Sequence, residues 1–254
     1  MIDEKRFLPK KYAIFDMDGT LFDSPQVYFR THQQMARELT GFDYQLAHQI
    51  ELMARPRAKG QSSIQIFTEI IGFPTTSNDS QAELAELEAR RRATFDRILS
   101  GSEVDIIKPG VLSLLDFLDE REIPAVISTT SNRERVDRMF AAQTEIRQDN
   151  FVVIVSSDQD PEYLLTRSKN GIIKLAIQNL SCTLDQPVSS LDCMMFEDSP
   201  SGVTAARHVD VGLVVAIPDE YTKRSALTGH DFKFNQAHLV AQDFNYLQYI
   251  WTSV

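Results

Sequence analysis

Two aspartates two residues apart, Asp16 and Asp18, open the segment Asp16-Met17-Asp18-Gly19-Thr20-Leu21-Phe22-Asp23, directly after the apolar run Tyr12-Ala13-Ile14-Phe15. A carboxylate at the end of a buried strand can attack phosphorus and bind a hard cation. Its neighbour can give or take a proton at the leaving or entering oxygen. Two like charges this close call for a compensating cation, and Mg2+ suits them because it takes oxygen ligands, keeps waters and bridges to phosphate. The same residues also suit a plain Asp-Gly turn or a calcium loop. A calcium loop of the EF-hand kind needs further oxygen ligands and a closing Glu, whereas Leu21 and Phe22 are apolar. Met17 offers packing and no chemistry.

The elements around this segment decide where it sits. In an open parallel sheet, sites form beyond the carboxyl ends of the strands. Residues 12–16 read as a buried strand leading into a tight loop. Between Val111 and Ile217, apolar runs at Ala125 to Ser128, Phe151 to Val155, Cys193 to Phe196 and Val211 to Ile217 alternate with helical patterns. That alternation predicts an α/β fold with a parallel sheet covered on both faces, a Rossmann-like three-layer α/β/α core. Residues 25 to about 104 break the rhythm, with helical patterns at Gln26 to Leu39 and Gln81 to Leu99 and no convincing strand. The expected division is therefore a core of residues 1–23 and 106–254, interrupted by an α-helical cap of residues 24–105. Pro109 and Gly110 restart the α/β pattern at a helix N-terminus. His238 to Ala241 reads as a last strand, and Phe244 to Trp251 as a last helix.

The segment from Asp16 to Asp23 resembles the first motif, DxDGT, of the haloacid dehalogenase superfamily, and three further parts of that pattern can be proposed. Val126-Ile127-Ser128-Thr129-Thr130 is similar to the second motif, a strand ending in a hydroxyl that can hold a phosphate oxygen without adding charge. Ser128 is preferred for that role, with Thr129 as a neighbouring substrate contact. The competing reading of this stretch is a helix cap, which Ser131 or Asn132 would fill as naturally. Lys169 resembles the third motif, a Lys opening a helix, whose charge would neutralise the nucleophile and the transferring phosphoryl oxygens. Here the chain departs from its commonest relatives, since Asn170 stands where Pro often follows, and Arg167 or Lys174 compete for the role. Phe196-Glu197-Asp198-Ser199-Pro200-Ser201-Gly202 resembles the EDSxxG form of the fourth motif, found in the β-phosphoglucomutase and phosphoglycolate phosphatase branch. The resemblance implies that Asp198 completes a magnesium site with Asp16 and the backbone carbonyl of Asp18, with Glu197 assisting. The same residues also make a capped helix start.

An Asp two residues after the nucleophile is similar to phosphatases and phosphomutases rather than dehalogenases, because an alcohol leaving group needs a proton and a halide does not. The expected reaction is hydrolysis of a small phosphorylated metabolite, a sugar phosphate or phosphoglycolate-like ester, through an aspartyl-phosphate. Asp16 is the nucleophile, Asp18 the acid and base, and Ser128, Lys169 and Mg2+ stabilise the phosphoryl group. The cap would read the substrate, and Arg55, Arg57, Lys59 and Gly60 form a basic, turn-containing stretch suited to an anion. Relatives that isomerise β-glucose phosphates carry a basic residue shortly after a cap Gly. Gln61, Ser62 and Ser63 follow Gly60 instead, which weakens the alternative of a β-phosphoglucomutase-like phosphomutase. A non-catalytic binding protein of the same fold is the remaining alternative.

Composition narrows the partners. Acidic side chains outnumber basic ones 36 to 26, a formal charge of −10 that argues against nucleic acid. No apolar run approaches the roughly 20 residues that span a bilayer, and Met1 to Lys10 lacks the apolar stretch of a secretory signal. A cytoplasmic monomer or weak homodimer is expected. Cys182 and Cys193 are too few for a disulfide framework and read as buried thiols. The five histidines show no metal spacing and read as surface or structural.

Overall fold

The structure, a computed structural model, describes residues 7–54, 61–73, 81–101, 105–166, 168–227, 234 and 236–252. Six strands, β1 (Tyr12–Phe15), β2 (Ala125–Ser128), β3 (Val153–Val155), β4 (Cys193–Glu197), β5 (Leu213–Ala216) and β6 (Leu239–Val240), form one sheet. Its order is β3-β2-β1-β4-β5-β6, and each adjacent pair is parallel. In chain order the helices are α1 (Ser24–Thr40), α2 (Leu46–Ala54), α3 (Ser63–Ile70), α4 (Gln81–Ser100), α5 (Val111–Asp119), α6 (Arg133–Ala142), α7 (Pro161–Thr166), α8 (Asn170–Thr183), α9 (Pro200–His208), α10 (Glu220–Leu227) and α11 (Phe244–Thr252). The chain divides into two compact units. One comprises residues 1–23, 107–222 and 232–254, and the other residues 24–106 and 223–231.

The first unit has the α/β architecture that the alternation of runs predicts. β1 and β4 are buried along their whole length, as strands covered on both faces must be. Successive side chains leave a strand on opposite faces, so Ile14 and Phe15 serve different layers. Ile14 joins Val126, Met195, Val214 and the apolar faces of α8 and α9 through Ile173, Ala176 and Val203. Phe15 enters an aromatic layer on the other face: it stacks on Phe196 at 4.6 Å between ring centres, with Phe151 at 6.1 Å and Phe244 at 6.3 Å. Sheet and helices thus form three layers, with one core above and one below the strands.

The second unit is helical, and no strand occurs among its described residues. Its core gathers Met35, Tyr44, Ile64, Phe67 and Leu87 from α1, the α1–α2 link, α3 and α4. A capping box starts α3: Gln65 N donates to Ser62 Oγ while Ser62 N donates to the Gln65 side chain. His32 lies in this core with its Nδ1 2.8 Å from Gln49 Oε1. Burial pushes its pKa down to about 4, so it is a neutral packing residue at physiological pH. Of the two cysteines expected to be buried, one is and one is not. Cys193 is buried, and burial pushes its thiol up to about 12, whereas Cys182 is exposed on α8. No described helix is long and apolar enough to cross a membrane.

Because Phe15 joins the aromatic layer with no exposed surface, Phe15→Ala is expected to lower the unfolding free energy by about 3–5 kcal/mol in denaturant titration. A loss below about 1 kcal/mol would mean that this layer does not hold β1 in place.

Candidate active site

Strand register assembles the site. On β1, Phe15 lies opposite Ile127 of β2 and Phe196 of β4. The next residue on each strand is therefore Asp16, Ser128 and Glu197, side by side at the carboxyl edge. Asp16 N donates to Phe196 O at 3.0 Å, which fixes the nucleophile candidate against β4. β1 is also where the sheet order turns, with β2 on one side and β4 on the other, and open α/β sheets form their ligand crevice at such a point.

The chain leaves β1 through a tight loop in which Gly19 N donates to Phe22 O and Leu21 N to Met17 O. Gly19 has φ +82, and a Cβ there would lie 2.2 Å from Asp198 Oδ2. The loop thus needs glycine twice, for its left-handed backbone and for the approach of Asp198. Thr20 Oγ1 donates to Asp198 Oδ1 at 3.3 Å, and Lys108 Nζ donates to Gly19 O at 2.8 Å.

Lys169 stands just before α8, and its ammonium donates to Asp16 Oδ1 and, at 2.5 Å, to Glu197 Oε1. The other oxygen of Glu197 accepts from Ser199 N at 3.0 Å and Ser199 Oγ at 2.9 Å. Ser199 in turn caps α9, accepting from Gly202 N at 3.1 Å, with Pro200 in the first turn. The Glu-Asp-Ser-Pro stretch is thus a capped helix start that also sets Glu197 and Asp198 at the end of β4. Lys174, the competing cation, is exposed on α8, and Arg167 lies outside the described residues.

Asp16, Glu197 and Asp198 each place an oxygen within 4.8 Å of the others. Burial pushes Asp16 up to about 7, against the pull of Lys169 and with the push of Glu197 and Asp18. Burial likewise holds Asp198 well above the carboxylate range, reinforced by Glu197, Asp16 and Asp219 and opposed by Lys108. Burial alone would depress Lys169, but the facing charges of Asp16 and Glu197 raise it instead. The buried acids thus exceed the local cations. Three clustered carboxylates, of which burial pushes Asp16 and Asp198 towards the protonated form, make an all-oxygen donor set of the kind a hard divalent cation takes, and Mg2+ fits it. The side chain of Asp18 lies outside this trio.

Ser128 Oγ is buried and has no hydrogen-bond partner among the described residues. It is a donor available to an incoming oxygen. Thr129 is used differently: its Oγ1 accepts from Ser131 N and so shapes the turn after β2. Of the two cap candidates it is Asn132 that caps α6, accepting from Arg135 N at 3.0 Å. Ser131 is thereby left to donate to Asp18 Oδ2 at 2.5 Å, and Arg135 Nη2 donates to Asp18 Oδ1 at 2.6 Å. Ser131 as a site residue, Arg135, Lys108, Thr20 and Asp219 were not legible in the sequence. Each is a common residue in a loop or first helical turn, and only the folded register brings it here. Arg55, Lys59 and Gly60, the expected substrate contacts, lie outside the described residues, as does Arg57.

A family model described as haloacid dehalogenase-like hydrolase matches residues 10–210. The chain is 26% identical over 227 residues to the protein CbbY of Rhodobacter capsulatus, across 88% of this chain and 92% of that one. It is 28% identical over 211 residues to (DL)-glycerol-3-phosphatase 2 of Arabidopsis thaliana, across 82% and 79% of the two chains. The crystal structure of CbbY from Rhodobacter sphaeroides in complex with phosphate shares the fold, with a TM-score of 0.66 and 21% identity over 94% of this chain and 96% of that one.

A Cβ at position 202 would lie 1.8 Å from Glu197 Oε1, the oxygen that receives Lys169. Gly202→Ala is therefore expected to cost about 1–3 kcal/mol of stability in denaturant titration, as overpacking does. A variant as stable as the parent would show that Glu197 is not held as described.

Proposed function

We propose that this chain, which belongs to the haloacid dehalogenase-like hydrolases, is a phosphatase of that superfamily that hydrolyses a small phosphomonoester, a sugar phosphate or phosphoglycolate-like metabolite, with Mg2+ as cofactor. The observation that carries this reading is the ammonium of Lys169 between Asp16 and Glu197, with Asp198 beside them and the Ser128 hydroxyl on the neighbouring strand buried and without a hydrogen-bond partner among the described residues.

In this reading an Asp16 oxygen attacks phosphorus in line with the ester oxygen, and the aspartyl-phosphate forms as the ester bond breaks. Asp18 gives the departing oxygen its proton, then takes one from the water that attacks the aspartyl-phosphate. Ser128 Oγ and Lys169 Nζ hold the phosphoryl oxygens, and Glu197 keeps Lys169 aimed. Asp16, Asp198 and the Asp18 carbonyl would hold Mg2+, with Glu197 in support; when bound, the ion neutralises the clustered carboxylates and the transferring oxygens. The helical segment 24–105 is proposed as the cap of a core made of 1–23 and 106–254, carrying substrate selection through Arg55, Lys59 and Gly60. The names of the relatives, a glycerol-3-phosphatase among them, support a small phosphorylated substrate.

A panel of phosphate esters assayed with Mg2+ tests the proposal. Phosphate release is expected from at least one sugar phosphate or phosphoglycolate, falling about a thousandfold or more in Asp16→Asn. Full activity in that variant would move the nucleophile elsewhere. Isomer formation from a hexose 1-phosphate and its bisphosphate, without released phosphate, would make the protein a mutase.

The raised pKa of Asp16 gives a second test. The folded chain holds this proton up to about pH 7, the unfolded chain only to the ordinary carboxylate range. Between those limits the folded state binds more protons, so without metal its stability falls as pH rises towards 7. Mg2+ competes with that proton, so its stabilisation in thermal melts is expected to be larger at pH 8 than at pH 5. Equal stabilisation at both values would remove Asp16 from the ion's ligands.

A further inference from the structure

Asp18 is held apart from the acidic trio by a separate set of donors. Arg135 Nη2 meets its Oδ1 at 2.6 Å, Arg135 Nε meets its Oδ2 at 3.3 Å, and Ser131 Oγ meets the same Oδ2 at 2.5 Å. The Arg135 side chain is 16% exposed and that of Asp18 28%, against 8% for Asp16 and 9% for Lys169, so the pair stands on the more open side of the site. Asn132 fixes the backbone of Arg135 in the first turn of α6, so the guanidinium reaches out from a rigid point.

We propose that Arg135 reads a second anionic group on the substrate, a carboxylate or a further phosphate, and that by taking that group it releases Asp18 for proton transfer. This rests on the hydrolase reading above. While the guanidinium fork and Ser131 engage both oxygens of Asp18, neither oxygen is available to carry a proton to an ester oxygen within hydrogen-bond reach. Breaking the pair without replacement would cost each charge a close charge-assisted hydrogen bond. An anion arriving with the substrate removes that obstacle, because the planar fork of arginine fits carboxylate and phosphate alike. A neutral tail offers no such exchange. The released Asp18 carboxylate first takes up a proton from solvent water, then transfers it to the ester oxygen as the Asp16–phosphorus bond forms and the ester bond breaks. It regains a proton from water as the water–phosphorus bond forms and the Asp16–phosphorus bond breaks. Ser131 follows either partner, since a hydroxyl rotates freely. Discrimination should therefore appear in kcat as well as in KM, because the anion acts on the proton-transfer step and not on binding alone.

Two matched substrate pairs test this in the full chain with Mg2+: 2-phosphoglycolate against 2-hydroxyethyl phosphate, and fructose 1,6-bisphosphate against fructose 6-phosphate. The anionic member of at least one pair is expected to be favoured about tenfold or more in kcat/KM, the worth of a charge-assisted hydrogen bond. Arg135→Met should bring that ratio close to one, and Arg135→Lys should restore part of it. The ratio is the readout, because a misplaced Asp18 slows both members alike. The same pairs titrated by calorimetry into Asp16→Asn, with and without Arg135→Met, report the preference without turnover. Absence of turnover in the parent together with an Arg135-dependent binding preference would sink the hydrolase reading and leave the anion site standing. No preference in either pair, or a preference that survives Arg135→Met, would overturn the role of Arg135.

Discussion

The ammonium of Lys169, closed between Asp16 and Glu197, is the interaction on which the rest of the site depends. Two buried carboxylates on adjacent strands repel each other and lose hydration, a penalty of several kcal/mol for each ion in a protein interior. Lys169 offsets it at the point where the strands end. The demand for that ion pair runs outward into ordinary structure. Glu197 must keep its second oxygen on Ser199, Ser199 must cap α9, and Gly202 must lack a side chain so that Glu197 fits beneath the helix. On the other side, Gly19 must be left-handed and bare so that Asp198 reaches the loop after β1.

The two aspartates of the opening loop therefore live in different electrostatic surroundings. Asp16 shares a buried, acid-rich corner with Lys169, where a divalent cation would complete the charge balance. Asp18 faces Arg135 and Ser131, donors from the turn after β2 and the start of α6. A reaction that needs one carboxylate as nucleophile and another as proton carrier needs such a division, because identical surroundings would give both the same chemistry. The proposed roles follow from these surroundings, and the motif alone does not separate them.

Much of this was legible in the sequence for a physical reason. Central parallel strands are buried on both faces, so β1, β2 and β4 read as unbroken apolar runs, and residues directly beyond them fall at the carboxyl edge. Asp16, Ser128, Glu197 and Asp198 could be placed on that basis. Lys169 could only be named among three cations, since its reach depends on where α8 begins and which side of the helix faces β1. Ser131 and Arg135 were hidden because Ser, Asn and Arg are common at helix starts. Which one caps the helix and which turns inward depends on the folded turn. The exposed Cys182 escaped because an amphipathic helix places one cysteine outward as readily as inward.

In the proposed reaction Asp16 carries the phosphoryl group. Acid quench of a single turnover with a phosphate ester labelled at phosphorus, followed by peptide mass spectrometry, reads that directly. Transient label is predicted on the peptide containing Asp16, at that residue, and none should appear in Asp16→Asn. Steady release of phosphate with no labelled peptide, or label on any other residue, would contradict it.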